Sequence, residues 1–144
     1  MRYDIRDRYE KYVIISIEAD SFKSAMESIL KRHINLSGAD LSRVDLSGLD
    51  FSRVNLFKAD LSHSNLVGAN LYGANLSLAN LSDADVSGSN AYAINLVGAN
   101  LSNTNFSHAD LSGSDLSGAN LSGTNFSESD LLGALFPRPL KQAA

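Results

Sequence analysis

The 144-residue chain has no cysteine, which excludes disulfides, thiolate nucleophiles and cysteine metal sites. It has only two prolines, Pro137 and Pro139, both near its end. Basic residues are in deficit: 12 Lys+Arg against 16 Asp+Glu give a formal net charge of −4. The chain as a whole therefore lacks the electrostatic footprint of a direct nucleic-acid binder. No apolar run approaches the length of a membrane span. The opening MRYDIRDRYEKY is charged and lacks the apolar stretch of a signal peptide. These features predict a cytoplasmic protein without a membrane partner. The Asn-Leu-Ser and Asn-Phe-Ser sequons are by-products of a repeat and carry no meaning without secretion.

What the sequence does have is a five-residue beat. Stepping by five from Leu36 to Leu131 gives twenty centres, of which 15 are Leu, three are Phe (Phe51, Phe106, Phe126) and two are Val86 and Ala91. The residue before each centre is always Asn or Asp, 12 and 8 times. Two before it sits Ala nine times, one after it Ser fourteen times, and two after it Gly ten times. Those ten are every glycine in the chain. A helix needs apolar residues every three or four positions and a half-buried strand every second one, so neither template fits. Disorder has no need of a leucine at each fifth position.

Each unit must bury its centre and the small residue two before it, with Asn or Asp pointing outward between them, as alternation along an extended segment requires. Gly or a polar residue at the unit's end permits a sharp bend. Repeated bends wind the chain into coils, each bonded to the next at about 4.8 Å. The number of units per coil comes from alignment at twenty residues. Ala39, Ala59, Ala79, Ala99 and Ala119 recur at that spacing, and Leu and Ser recur in step two and three residues later. Four units per coil make five coils and a rod of about 24 Å.

The segments ANLSLANLSDADVSG and ADLSGSDLSGANLSG resemble the pentapeptide-repeat family, whose pattern is A(D/N)LxX. The likeness covers 100 of 144 residues. It implies a right-handed quadrilateral parallel β-helix with one unit per side, a mainly β fold.

Three segments follow: 1–33, a cap; 34–136, the β-helix; 137–144, a tail. In the cap, Tyr3, Ile5 and Tyr9, then Val13, Ile15, Ile17 and Ala19, alternate as a hairpin with its turn near Glu10-Lys11. Asp20 or Ser21 can cap a helix from Phe22 to Arg32 that presents Phe22, Ala25, Met26, Ile29 and Leu30 on one face. A solenoid exposes an apolar end unless it is covered, so the helix is predicted to close the first coil near Ile34 and Leu36.

Residues able to do chemistry are few and scattered. His33, His63 and His108 stand apart, and none of the fourteen aligned serines has a His-Asp pair beside it. No glycine is followed by the lysine of a phosphate loop. Asp40, Asp45, Asp50 and Asp60 cluster in the first coils, but outward vectors on separate sides diverge, against a calcium site. The reading is that the protein is no enzyme, needs no cofactor and serves as a scaffold or protein-binding module. A second class is mimicry of DNA, which the family resemblance implies for members that bind DNA gyrase and protect it from quinolones. The repeat carries ten acidic and three basic residues, a net of −7. Duplex DNA of the same length carries about fourteen charges. The loop insertions typical of the quinolone-resistance members are missing.

The exceptions to the aligned serine suggest an interaction surface. Tyr72 and Tyr92 stack on the fourth side; Phe57, Leu78 and Val97 lie on the adjoining first side. Together they are expected to form one exposed apolar patch for a protein partner. At the far end, Phe136 falls on the next centre and should start a sixth coil above Leu116, before the two prolines stop β pairing. The last coil would leave Leu116, Leu121, Phe126 and Leu131 partly bare, beside Leu135, Phe136 and Leu140. That predicts a homodimer joined end to end through Leu131, Leu135, Phe136 and Leu140. The alternative is a tail that folds back and seals a monomer. Coil three has the weakest core, with Val86 and Ala91 as centres and Ile94 refilling the space beside Ala91.

Overall fold

A computed structural model describes residues 1–139; Leu140, the last residue of the expected dimer end, lies outside them. The chain opens with strand β1 (Arg2–Arg6), strand β2 (Val13–Glu18) and helix α1 (Phe22–Lys31). β1 and β2 form the expected antiparallel hairpin, with a bulge at Ile5/Arg6. Its turn has neither Gly nor Asn at the tip. Instead Asp7 Oδ1 accepts from the amides of Tyr9 and Glu10 at 2.8 and 2.7 Å, and Lys11 takes a φ of 62°. Of the two candidate caps for α1 it is Ser21 that acts, in a reciprocal pairing with Ser24. Ala25, Met26 and Ile29 are fully buried, while Phe22 and Leu30 are partly covered at the margins. The helix's buried face belongs to the same apolar cluster as the first coil, whose centres Leu36, Leu41, Leu46 and Phe51 are 1% exposed or less. The hairpin joins that coil by pairing Asp7 antiparallel to Ala39.

From there the residue before each centre pairs in parallel with the residue twenty ahead, from Asp40 with Asp60 to Asp115 with Leu135. Four five-residue units thus make one coil. Side one holds the centres Leu36, Leu56, Leu76, Leu96 and Leu116. Sides two, three and four start from Leu41, Leu46 and Phe51. All seventeen centres from Leu36 to Leu116 are 1% exposed or less.

Five amides per unit need five acceptors, and the unit 59–63 shows how they are found. Ala59 N–H closes a turn onto Leu56 O at 2.9 Å. Asp60 N–H reaches back to Ala39 O at 2.8 Å; Leu61 and His63 reach forward to Asn80 O and Ser82 O at 2.7 and 3.0 Å. The remaining amide, Ser62 N–H, is capped by Asp60 Oδ1 at 3.0 Å. That last bond explains why Asn and Asp are interchangeable before every centre: both supply an Oδ1, and their outward placement is only half of their role. All twenty residues two after a centre have positive φ, 61° to 74° for the ten glycines and 56° to 60° for the ten others.

The C-terminal end departs from expectation in two ways. Leu116 is fully buried, because Leu116 N–H bonds Leu135 O at 2.7 Å and the chain passes over it. Leu135 still points outward and is 57% exposed. It needs no Oδ1, since the amide it would cap belongs to Pro137, which has none. Phe136 does not sit above Leu116 alone. Its ring leans across the open end to meet Phe126 edge-on, centroids 5.9 Å apart. Leu121, Phe126 and Leu131 are partly buried.

Candidate functional site

The five residues of the expected patch stand in two rows. Tyr72 and Tyr92 occupy the corner between sides four and one, in the turns that begin at Leu71 and Ala91. Phe57, Leu78 and Val97 occupy the next corner, in the turns Leu56–Ala59, Leu76–Ala79 and Leu96–Ala99. The patch is therefore not continuous, a correction to the reading from sequence. Three residues of side one separate the rows by about 10 Å. The outward residues between them are Asn55, Asn75 and Asn95.

Along the first row the rings of Tyr72 and Tyr92 stack at 5.7 Å and 3°. The Arg53 guanidinium lies over the Tyr72 ring at 5.4 Å, and Tyr92 covers Gly113. Both outer ring faces are thus occupied, so this row offers a partner ring edges and hydroxyls. The second row is more open. Leu78 is 48% exposed and lies over Gly98, Val97 is exposed, and Lys58 stands over the half-buried Phe57 ring at 5.3 Å.

Charge is unevenly placed. Sides two, three and four each carry outward Asp residues, such as Asp40 and Asp60, Asp45 and Asp85, Asp50 and Asp110. Side one has Asn35, Asn55, Asn75 and Asn95 before its first carboxylate, Asp115. The carboxyls of Asp45, Asp50 and Asp115 are held below the usual range, first by the hydroxyl and then by the backbone amide of Ser47, Ser52 and Ser117 respectively. In the hairpin, Asp4 is lowered likewise by the Ser16 hydroxyl and then by Arg2.

His63 and Asp83, twenty residues apart and so neighbours on successive coils, approach at 3.7 Å on the surface. Sequence reading missed this pair, though the twenty-residue period was enough to find it. Among the described residues no group of His, Asp and Glu is arranged to hold a metal ion. No helix among them is long and apolar enough to cross a membrane.

At the far end, the amides of Leu121, Gly123, Phe126, Glu128, Leu131 and Gly133 have no backbone acceptor among the described residues. Of the expected dimer-end residues, Leu131 is partly buried, Phe136 is 41% exposed and Leu135 faces sideways.

No curated protein matches the chain. Among solved structures it is similar to a pentapeptide repeat protein from the thylakoid lumen of Arabidopsis thaliana, at 37% identity over 65% of this chain, with a TM-score of 0.63. The chain spans 66% of that protein's length. It is also similar to HetL, a pentapeptide repeat protein involved in heterocyst differentiation regulation from the cyanobacterium Nostoc sp. strain PCC 7120, at 31% identity over 73% of this chain and 65% of that one, with a TM-score of 0.36. A plasmid-mediated fluoroquinolone resistance protein matches at 24% identity over 68% of this chain and 57% of that one, with a TM-score of 0.43. The family model for pentapeptide repeats matches eight copies over residues 32–56, 55–90 and 94–134, and the chain belongs to that family.

Proposed function

We propose that the protein is a non-catalytic binding module, a rigid rod that presents side one and its two corners to a protein partner. The observation that carries this reading is the pair of apolar rows, Tyr72–Tyr92 and Phe57–Leu78–Val97, held in fixed register by the ladder of the coils. Three of those side chains, Leu78, Tyr92 and Val97, are exposed at positions where the rest of the repeat mostly has Ser or Gly. Large apolar groups at such places cost solubility unless a partner covers them. Affinity capture from the cells that make the protein tests the reading. The wild type should retain a partner that Tyr72→Ser/Tyr92→Ser loses while its melting temperature stays unchanged. A partner retained equally by both, or a large drop in melting temperature, would show that the tyrosines only cover neighbouring coils.

DNA mimicry is the second reading, and the acidic sides two, three and four favour it. Their nine carboxylates and Arg43 leave a net of −8. Gyrase supercoiling in the presence of the protein separates the two: inhibition or quinolone protection at micromolar levels would put mimicry first.

We further propose a homodimer joined end to end at the last coil. The amides of that coil that have no backbone acceptor among the described residues, and the partly covered Leu121, Phe126 and Leu131, favour association. Sedimentation equilibrium should give twice the 15.4 kDa chain mass at tens of micromolar. The chain mass alone would mean that Phe136, lying over Phe126, closes a monomer. In a dimer, Phe136→Asp should dissociate the pair by burying an unpaired carboxylate.

A further inference from the structure

We propose that side one docks an extended, acidic segment of a partner protein, a step that rests on the binding-module reading above. Through the first four coils this side and both its corners carry no carboxylate, in a repeat whose net charge is −7. They carry Arg53 at one corner and Lys58 at the other. A third cation comes from the cap: Arg8 Nη1 is bound to Lys58 O and Ala59 O at 3.1 and 3.3 Å, which places its guanidinium beside Lys58. His33 lines the cleft at the foot of this side together with Asn35, Arg53 and Asn55. The hairpin turn carries two carboxylates: Asp7 is buried, with its Oδ1 occupied by the amides of Tyr9 and Glu10, and Glu10 is exposed next to Lys11. The cations therefore gather at the capped end of side one, at its corners with sides two and four.

The asparagines add a second kind of complementarity. The Oδ1 atoms of Asn35, Asn55, Asn75 and Asn95 are engaged with backbone amides of their own turns. Their Nδ2 groups have no protein acceptor among the described residues. On side three, by contrast, Asn65 Nδ2 donates to Asp45, and on side four Asn90 Nδ2 donates to Asn70, while on side two the column of such donors begins only at Asn80, after Asp40 and Asp60. Side one thus offers a column of free donors, one per coil and about 4.8 Å apart. Carboxylates and main-chain carbonyls are the acceptors that such a column fits. The apolar rows at its edges take the segment's apolar side chains. A polyanionic nucleic acid lacks those apolar groups, so the apolar rows favour a polypeptide.

The test is fluorescence anisotropy with a short labelled peptide of alternating Glu and Leu. A Lys-Leu peptide and a deoxythymidine strand of matched length serve as competitors. Two variants act on the side itself: Arg53→Glu/Lys58→Glu, and Asn55→Asp/Asn75→Asp/Asn95→Asp. The second keeps every Oδ1 cap, and adjacent coils already stack Asp40 on Asp60, so it should fold. Arg43→Glu, at the corner between sides two and three, is the control. The acidic peptide should bind the wild type and the control alike, and either side-one variant should weaken it by about tenfold or more, with salt weakening the wild type too. Equal binding to all variants, or preference for the basic peptide or the DNA strand, would overturn the proposal. Absence of peptide binding, with cellular capture still lost in Tyr72→Ser/Tyr92→Ser, would reject the acidic partner while leaving the binding module intact. Loss of both would reject the two together.

Discussion

A single rule governs the residue before each centre, and only half of it was visible in the sequence. The alternation of small, polar and large residues shows that Asn or Asp points outward. It does not show that Oδ1 caps the amide two residues on, because a hydrogen bond of that kind leaves no periodic signature of its own. The rule's one failure makes the point: Leu135 follows the last Asp exactly where Pro137 removes the amide to be capped. The inward residues obey packing more strictly. Ser89 and Ser114 are buried with hydroxyls that find no partner among the described residues, whereas Ser64 and Thr104 bond Leu61 O and Leu81 O. A buried hydroxyl without a partner costs about 1–3 kcal/mol. Ser89→Ala, which installs the commonest residue of that position, should therefore raise unfolding free energy by about 1 kcal/mol in urea titration; a loss would show that Ser89 is satisfied. Two residues on, Ala91 is fully buried beside Ile94. Ala91→Leu should lower stability by about 1–3 kcal/mol through overpacking. Equal or greater stability would reveal a void in coil three.

At the scale of elements, the cap and the coils are held together by different means, and this shaped what could be read from the sequence. The apolar periods of β1, β2 and α1 are strong, so all three could be placed from their patterns. The hairpin turn was legible only in position, since Asp7 shapes it through side-chain acceptance where a turn would ordinarily use Gly or Asn. Where cap meets coil, the fit is close. Gly38 has a φ of +72°, and a Cβ there would lie 2.5 Å from Asp7 Oδ2. Gly48 has a φ of +66° with nothing within 4 Å. Gly48→Ala should cost about 1–2 kcal/mol, the penalty of the left-handed region alone. Gly38→Ala should cost more, because the Asp7 carboxylate must turn away from the two amides it holds. Thermal melts of the two variants decide it: equal shifts would mean that Asp7 does not tie the hairpin to the first coil.

For the whole molecule, the twenty-residue period could be read from five aligned Ala-x-Leu-Ser sets, and with it came the number of sides, the buried columns and the exposed corners. The apolar residues chosen from the sequence do sit on two adjoining corners. Their separation by an asparagine column is not legible in the sequence, because the five-residue period does not by itself tell a side from a corner. The polarity of the rod is hidden in the net charge of the repeat, because the carboxylates avoid one side through four coils. The most direct test of the account is photo-crosslinking from equivalent positions of one coil. A benzophenone side chain at Ser77, beside Leu78 on side one's corner, is compared with one at Ser82, a unit further round. Binding through side one predicts a partner adduct from position 77 and none from position 82. Adducts from position 82 alone, or equally from both, would contradict it.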